Sequence, residues 1–327
     1  MSNASPKELW RVVKDISGTT RLNSKSDFLL KDTDTVNAFF ANISTNPNYN
    51  RDVVNAFSLH TEFNNILFNY EIEPILRRVK RTTRGFDGLP AWLFQQCSYE
   101  LADVVTGILN CSFSSGTLPS QWLTAVISLV PKVSAPKVLS DYRPISVTPI
   151  MSRIAEKLLV TRWLRPSIHV SIFQDQFAFK PNRSTTCALS HFMHHTTRML
   201  ETNKYVRCLM IDFAKAFDVV DHAILLGKLQ TLGIDQFALN WIVSFLSNRR
   251  QVCKIDGSYS IPLPINQGIV QGLGLGPFLY LVMESDLKAL SVLNLIFKYA
   301  DDTNLLVPEI LMSLLVSSMI IVSSGLI

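Results

Sequence analysis

Few cysteines, little charge and no apolar leader set the first limits on this 327-residue chain. Its five cysteines, Cys97, Cys111, Cys187, Cys208 and Cys253, are odd in number and scattered. None stands in a CxxC pair or at Cys/His ligand spacing, so the sequence offers no zinc site and its usage fits a reducing compartment. The opening MSNASPKELW is polar and does not read as a secretory signal, so an intracellular location is expected, nucleus and cytoplasm not being distinguished. There is no internal repeat and no low-complexity segment. Charged residues make up only 17%, and a formal charge of +5 permits nucleic acid without demanding it.

What is present is apolar. Hydrophobic residues are 47% of the chain, enough for a sizeable core in one to three domains. The cations are uneven: Arg77, Arg78, Lys80, Arg81 and Arg84 put five into eight residues, and Arg249 with Arg250 forms a smaller group. His191, His194 and His195 cluster on a helix-like stretch without a Cys or acidic partner, so packed or solvated imidazoles are expected.

Pattern and turn chemistry predict a mostly helical region up to residue 84 and a turn at 84–90 from its Gly, Asp and Pro content. One helix follows, with Trp92, Leu93, Leu101, Val104, Val105 and Leu109 as its apolar positions. A β-branched strand covers 124–130, and a helix over 152–164 is stopped by Pro166. A buried strand is expected over 206–213, then amphipathic helices over 222–232 and 236–246 separated by Gly233. Asp256-Gly257 marks a hairpin between 251–255 and 259–263. A second hairpin joins 295–299 to 303–307, with Ala300-Asp301-Asp302 at its turn.

Asp212 at a strand end and Asp301-Asp302 at a hairpin tip suit phosphoryl transfer by the two-metal route, which needs carboxylates around a pair of Mg²⁺ ions. Mg²⁺ takes one or two carboxylates plus substrate phosphates, so three aspartates suffice. An Asp-Asp pair in a turn is, by itself, more often a turn former or a solvated pair. Its context is more specific. Asp212-Phe213-Ala214-Lys215-Ala216-Phe217-Asp218, the glycine-rich run from Gly268 to Pro277 (GIVQGLGLGP) and Phe297-Lys298-Tyr299-Ala300-Asp301-Asp302-Thr303-Asn304-Leu305 resemble, in order, palm motifs A, B and C of non-LTR (LINE-type) retrotransposon reverse transcriptases. Upstream, Asp141-Tyr142-Arg143-Pro144-Ile145-Ser146 and the run from Gln176 to Thr186 (QFAFKPNRSTT) resemble that family's fingers motifs. Gly85-Phe86-Asp87-Gly88-Leu89-Pro90 and Leu118-Pro119-Ser120-Gln121-Trp122 resemble its N-terminal extension. Seven ordered matches span about residues 7–309.

The resemblance implies an α+β fold, with right-hand polymerase fingers and a ferredoxin-like palm. It divides the chain into a helical N-terminal extension (1–127), fingers (128–205), palm (206–309) and an aberrant apolar tail (310–327). It implies RNA-directed DNA synthesis from deoxynucleoside triphosphates on an RNA template with a DNA primer, using two Mg²⁺ ions with Mn²⁺ as the alternative. Asp212, Asp301 and Asp302 would be the catalytic metal-binding triad, with the Phe213 carbonyl as a further ligand. Lys132 and Arg143 would grip the triphosphate. Phe217 would crowd the sugar 2′ carbon, although its spacing from Phe213 equally suits core packing. Gln271 and Gly272 would line the nucleotide and template. Lys180 and Arg183 would touch template backbone, as could Arg77 to Arg84, which otherwise read as a solvated helix face.

Three positions depart from the family pattern: Val270 where Pro is common, Leu273 where Ser is common, and Phe86 where Pro commonly precedes the aspartate. The 18 residues from 310 to 327 carry no charge, so the expectation is a missing thumb and a reading-frame shift after Glu309; an absent endonuclease domain is expected because Met1 already falls in the region that precedes the polymerase. Two rival readings are a template- or RNA-binding remnant that does not polymerise, and a membrane protein anchored through 310–327, although a membrane is not the expected partner.

Overall fold

The computed structural model describes residues 32–168, 170–180, 182–270, 274–309 and 320–321. It is a mixture of helix and strand, with two main sheets, a two-stranded ladder and a large helical core. The first 31 residues, expected to be mostly helical, lie outside the described residues.

The chain enters through helix α1 (Thr33–Ile43), then α2 (Arg51–Asn55) and α3 (Asn69–Arg77). After the turn at 84–90 the single expected helix is two, α4 (Ala91–Gln96) and α5 (Ser98–Ser115). The break is at Cys97, whose ψ of 31° leaves the helical range. It lets α4 bury Ala91 and Phe94, and α5 bury Val105, Leu109 and Phe113, while Trp92 and Val104 face solvent. The apolar face read from the sequence is therefore corrected at those two residues.

Strands β1 (Thr124–Pro131) and β2 (Tyr142–Val147) pair antiparallel, with Val130 opposite Arg143. Helix α6 (Ile150–Leu158) continues through a wide turn at 159–164 into Arg165–Ser167, so Pro166 does not stop it. That proline stands at the first turn of the last piece, where a missing N–H costs little. Helix α7 (Thr185–Leu200) begins at Ser184, whose hydroxyl accepts from the Cys187 N–H at 3.1 Å. Strand β3 (Val206–Ile211) and helices α8 (His222–Thr231) and α9 (Gln236–Leu246) follow. Strand β4 (Arg250–Ile255) then turns at Asp256-Gly257 into β5 (Ser258–Tyr259), and β6 (Leu263–Pro264) pairs back onto β4. The described chain ends through α10 (Gly276–Met283), β7 (Lys288–Ala289), β8 (Leu295–Tyr299), β9 (Asp302–Pro308) and the short β10 (Ile320–Ile321).

The larger sheet runs β2-β1-β4-β5, with β6 beside β4 and β1 parallel to β4. Helix α1 covers it: Val36 and Phe40 pack on Ile127, Tyr142 and Cys253. Asn37 locks that contact by donating to the Ile261 carbonyl at 2.9 Å and accepting from Gln251 Nε2 at 3.1 Å. Strand β4, within the segment expected to be palm, thus shares a sheet with the β1–β2 hairpin.

The smaller sheet is antiparallel, in the order β3-β9-β8. Helix α7 lies on one face, where Phe177, Phe297 and Leu306 meet Ala188, Phe192 and Met199. His191 and His195 pack their rings on Phe297 at centroid distances of 5.8 and 5.9 Å, which accounts for the histidine cluster by packing. Strand β3 was expected to be buried. It is an edge strand instead, with Met210 77% exposed, because among the described residues only β9 pairs with it.

Between the sheets, Trp241, Phe113, Trp163 and Phe237 form the aromatic centre of the main core. Trp241 is fully buried, and its indole N–H donates to Ser112 Oγ at 3.0 Å. Burying each such side chain contributes roughly 1.5–3 kcal/mol or more. Of the apolar tail, only 320–321 are described; they pair with β7, Ile320 opposite Ala289. No helix among the described residues is long and apolar enough to cross a membrane.

Candidate active site

The register of the smaller sheet gathers the three candidate aspartates at one end. The ladder ends at Ile211 paired with Thr303, which leaves Asp212 and Asp302 as the next residues on the two strands at that end. Tyr299 pairs with Asp302, leaving Ala300 and Asp301 as the two residues of a tight hairpin. Asp212 and Asp302 both line an open cleft of about 490 Å³ under α7, floored by Phe297 and Ile211. The charges of Asp301 and Asp212 also act on the same phenol, Tyr280, whose ionisation is pushed well up by burial and by the carboxylate of Glu284.

Behind the hairpin lies a buried polar cluster to which the sequence reading assigned no role. Tyr280 donates to Glu284 Oε1 at 2.7 Å, and Gln176 Nε2 donates to Glu284 Oε2 at 3.1 Å. The same Gln176 amide donates to the Ala300 carbonyl at 3.1 Å, and its Oε1 accepts from the Ala300 N–H at 3.0 Å and the Ala178 N–H at 2.9 Å. Lys298, 2% exposed, donates to the Glu284 carbonyl at 2.9 Å and pairs with Asp175 at 3.4 Å. Burial raises the Glu284 carboxyl to about 7 and lowers the Lys298 ammonium, each partly opposed by the other's charge. One signal for this cluster was present in the sequence: Glu284 and Lys298 are lone charges at the end of, or inside, apolar runs.

Motif B is tied to motif A by backbone. The Gly268 N–H donates to the Val220 carbonyl at 2.9 Å, and the Ile269 N–H donates to the Phe217 carbonyl at 2.8 Å. Gly268 has φ of 81°, and a Cβ there would stand 2.5 Å from the Asp218 carbonyl oxygen, so this approach requires glycine. His222, buried after motif A, reaches the Gly268 carbonyl at 2.8 Å through Nε2. Phe217 is half-buried, stacked on Tyr280 at 4.4 Å and met edge-on by Phe179 at 6.3 Å. Gln271, Gly272 and Leu273 lie outside the described residues.

The candidate cations are dispersed around this end. Lys132 and Arg143 sit at the loop end of the β1–β2 hairpin, both exposed. The Lys132 charge, after that of Lys215, opposes the burial that raises Asp218 to about 6. Lys180 donates to the Phe173 carbonyl at 2.6 Å, and Arg183 lies over the Phe177 ring at 5.1 Å. Arg78, Lys80, Arg153 and Lys157 line a separate groove of about 420 Å³ that includes Gly274.

The donor set suits Mg²⁺: carboxylate oxygens only, on two strand ends and a turn, exposed or half-exposed, with no soft ligand. Among the described residues no three His, Cys, Asp or Glu side chains stand together at metal-ligand spacing. Asp212, Asp301 and Asp302 therefore share one end of the sheet without meeting at ligand spacing.

Residues 130–320 match the family model described as reverse transcriptase (RNA-dependent DNA polymerase). The match runs past Glu309 into the segment read as an aberrant tail. Among curated proteins, the chain is 31% identical over 215 residues to the probable RNA-directed DNA polymerase from transposon BS of Drosophila melanogaster, covering 63% of this chain and 23% of that protein. It is 32% identical over 208 residues to the RNA-directed DNA polymerase from mobile element jockey of the same species, covering 61% and 23%. The Pol polyprotein from retrotransposable element R2 of Popillia japonica is 26% identical over 211 residues, covering 64% and 29%. The matched region therefore spans about a quarter of the length of these relatives. A solved telomerase from Candida tropicalis, in complex with a fragment of telomeric RNA, aligns with a TM-score of 0.43 at 13% identity, covering 66% of this chain and 41% of that one.

Proposed function

The chain belongs to the reverse transcriptase family, in its non-LTR retrotransposon branch, and from that premise we propose that it extends a DNA primer on an RNA template using deoxynucleoside triphosphates. The observation that supports this reading is the strand register ending at the Ile211 and Thr303 pair, which brings Asp212 and Asp302 to the same sheet end with Asp301 in the adjoining turn. Asp212, Asp301 and Asp302 would hold a pair of Mg²⁺ ions, with the Phe213 carbonyl as a further ligand. Held by these residues, such ions would supply Lewis-acid chemistry toward the primer 3′-hydroxyl, the α-phosphate and the leaving pyrophosphate.

The remaining roles belong to the chain's own side chains. In a right-hand arrangement of fingers over palm, Lys132 and Arg143 bring positive charge from the β1–β2 hairpin to the triphosphate. Phe217, backed by Tyr280, presents a ring that would exclude a 2′-hydroxyl. Gln271 and Gly272 line the nucleotide and template, and Lys180 and Arg183 follow the template backbone. The cationic groove of Arg78, Lys80, Arg153 and Lys157 adds sequence-independent, salt-sensitive affinity.

Primer extension on an RNA template tests this directly. The chain should add deoxynucleotides in Mg²⁺ and lose that activity on Asp302→Asn, while Phe217→Ala should raise ribonucleotide incorporation relative to deoxynucleotide. Salt-sensitive template–primer binding with no extension in Mg²⁺ or Mn²⁺ would replace the polymerase reading with that of a binding domain. An unchanged nucleotide ratio would return Phe217 to a packing role.

A further inference from the structure

We propose that Gln176 is a positioning residue for this site: its side-chain amide holds Ala300 in a left-handed conformation and thereby aims Asp301 and Asp302. The inference rests on the reading of those carboxylates as metal-holding, and goes beyond it by assigning the part that sets their direction.

Ala300 has φ of 56°, a value L-residues avoid because Cβ crowds the carbonyl oxygen. Asp301 is not among the positive-φ residues, so the two-residue hairpin is of the kind whose first position favours glycine. Alanine stands there instead, and something must hold it. Gln176, 3% exposed, bonds both backbone groups of Ala300, as a neighbouring strand would. Its amide is also saturated. Oε1 accepts from Ala300 and Ala178, and Nε2 donates to Ala300 and Glu284, which uses both acceptor sites and both hydrogens. Turning the amide over would set NH₂ against two N–H donors and oxygen against a carbonyl and a carboxylate, so one orientation alone is allowed.

The clamp is anchored apart from the turn it holds. The Phe177 N–H donates to the Lys298 carbonyl at 2.9 Å, and the Lys298 N–H donates to the Asp175 carbonyl at 2.8 Å, zipping 175–177 along β8. Gln176 therefore approaches Ala300 from a segment fixed by its own backbone, with Glu284 of α10 closing the fourth bond.

The test compares the full chain with Gln176→Met, Ala300→Gly and the double variant, reading primer-extension rate, the Mg²⁺ concentration giving half the maximal rate, and amide hydrogen exchange at Ala300. Gln176→Met keeps the side-chain volume but removes all four bonds. It should slow extension roughly 10- to 100-fold, the scale of an ångström-level misplacement, and raise the half-saturating Mg²⁺. Ala300→Gly alone should change little. In the Gln176→Met background it should recover part of the lost rate, because glycine takes φ of 56° without a Cβ penalty, even though the lost bonds and thermal stability do not return. A Gln176→Met protein that is less stable but unchanged in rate and Mg²⁺ dependence, or a double variant no faster than the single, would overturn the proposal. If Gln176→Met does not fold, exchange in the unsubstituted chain decides: an Ala300 amide exchanging as fast as an unbonded one rules the clamp out. Asp302→Asn keeps the two failures apart. Full activity there sinks the carboxylate reading, while the exchange measurement still judges the clamp.

Discussion

Two tight hairpins in this chain solve the same geometric problem in opposite ways. The β4–β5 turn is Asp256-Gly257, with φ of 49° and 89°. Both signs are positive, and Asp-Gly is the pair that tolerates them, so the local sequence is sufficient. No atom lies within 4 Å of where a Gly257 Cβ would be. The β8–β9 turn is Ala300-Asp301, where the residue at positive φ is alanine, and the missing local preference is supplied by Gln176 from a distant segment. A turn that only reverses the chain needs no help. A turn that aims carboxylates is held from outside, at the cost of one strained residue and the four buried polar side chains Gln176, Tyr280, Glu284 and Lys298.

The largest expected effect is on activity and separates the two turns by identical chemistry. Asp302→Asn should abolish primer extension, because it removes a charge that would hold metal. Asp256→Asn makes the same change in the other turn and should leave extension at the unsubstituted level. Both side chains lie at solvent-accessible turns, so each variant's stability should stay within about 0.5 kcal/mol of the parent by thermal unfolding. Equal losses at both positions would mean that the β8–β9 hairpin carries no special chemistry.

The same contrast explains what could be read from the sequence. Asp-Gly between β-branched runs gave the β4–β5 hairpin, and the apolar runs around Tyr299-Ala300-Asp301-Asp302 gave β8 and β9. The aspartates announced themselves through spacing and family resemblance. Gln176 was visible only as one letter of a motif, because its role depends on a partner 124 positions away. Strand β3 was misread as buried for a related reason: its run of Val206, Cys208, Leu209, Met210 and Ile211 looks like a central strand, and only the sheet order reveals an edge. The break at Cys97 left no proline or glycine to mark it. Local chemistry is written locally, whereas sheet order and long-range clamps are properties of the assembled core.

A second effect, of intermediate size, sharpens the comparison by pH. Glu284, which closes the Gln176 clamp, is raised from 4.5 to about 7, chiefly by burial. Tyr280 on its own helix and Lys298 of β8 oppose that rise, the Asp301 charge adds to it, and the Gln176 hydrogen bond opposes it least strongly. Between pH 4.5 and about 7 the folded chain keeps this proton while the unfolded chain loses it. Stability contributed by the neutral carboxyl is thus full below 4.5 and declines as pH rises to about 7. At roughly 1.4 kcal/mol per pH unit the total is about 3 kcal/mol. Asp218, raised from 3.8 to about 6, pulls the same way over a lower window. Thermal unfolding in metal-free buffer should therefore show stability falling from pH 5 to about 7, and Glu284→Gln should flatten the portion above pH 6. A stability curve that rises across that range would contradict this assignment.

The smallest effect is the one that tests the comparison at its root, by exchanging the turns' residues. Gly257→Ala puts a Cβ on a residue at φ of 89° with no clamp to hold it. The open space around it means that the cost is conformational alone, about 1–2 kcal/mol. Ala300→Gly is the reverse change. It relieves a strain of similar size, but glycine also gives the unfolded chain more freedom to lose, about 0.4–1 kcal/mol. The same two contributions act with reversed sign in Gly257→Ala, so the Ala300→Gly midpoint should lie at or slightly above the parent's while that of Gly257→Ala falls below it. Denaturant unfolding of both variants, with unchanged slopes, measures the difference. Equal destabilisation by the two substitutions would mean that Ala300 is unstrained, and that the Gln176 amide bonds a turn its sequence already prefers.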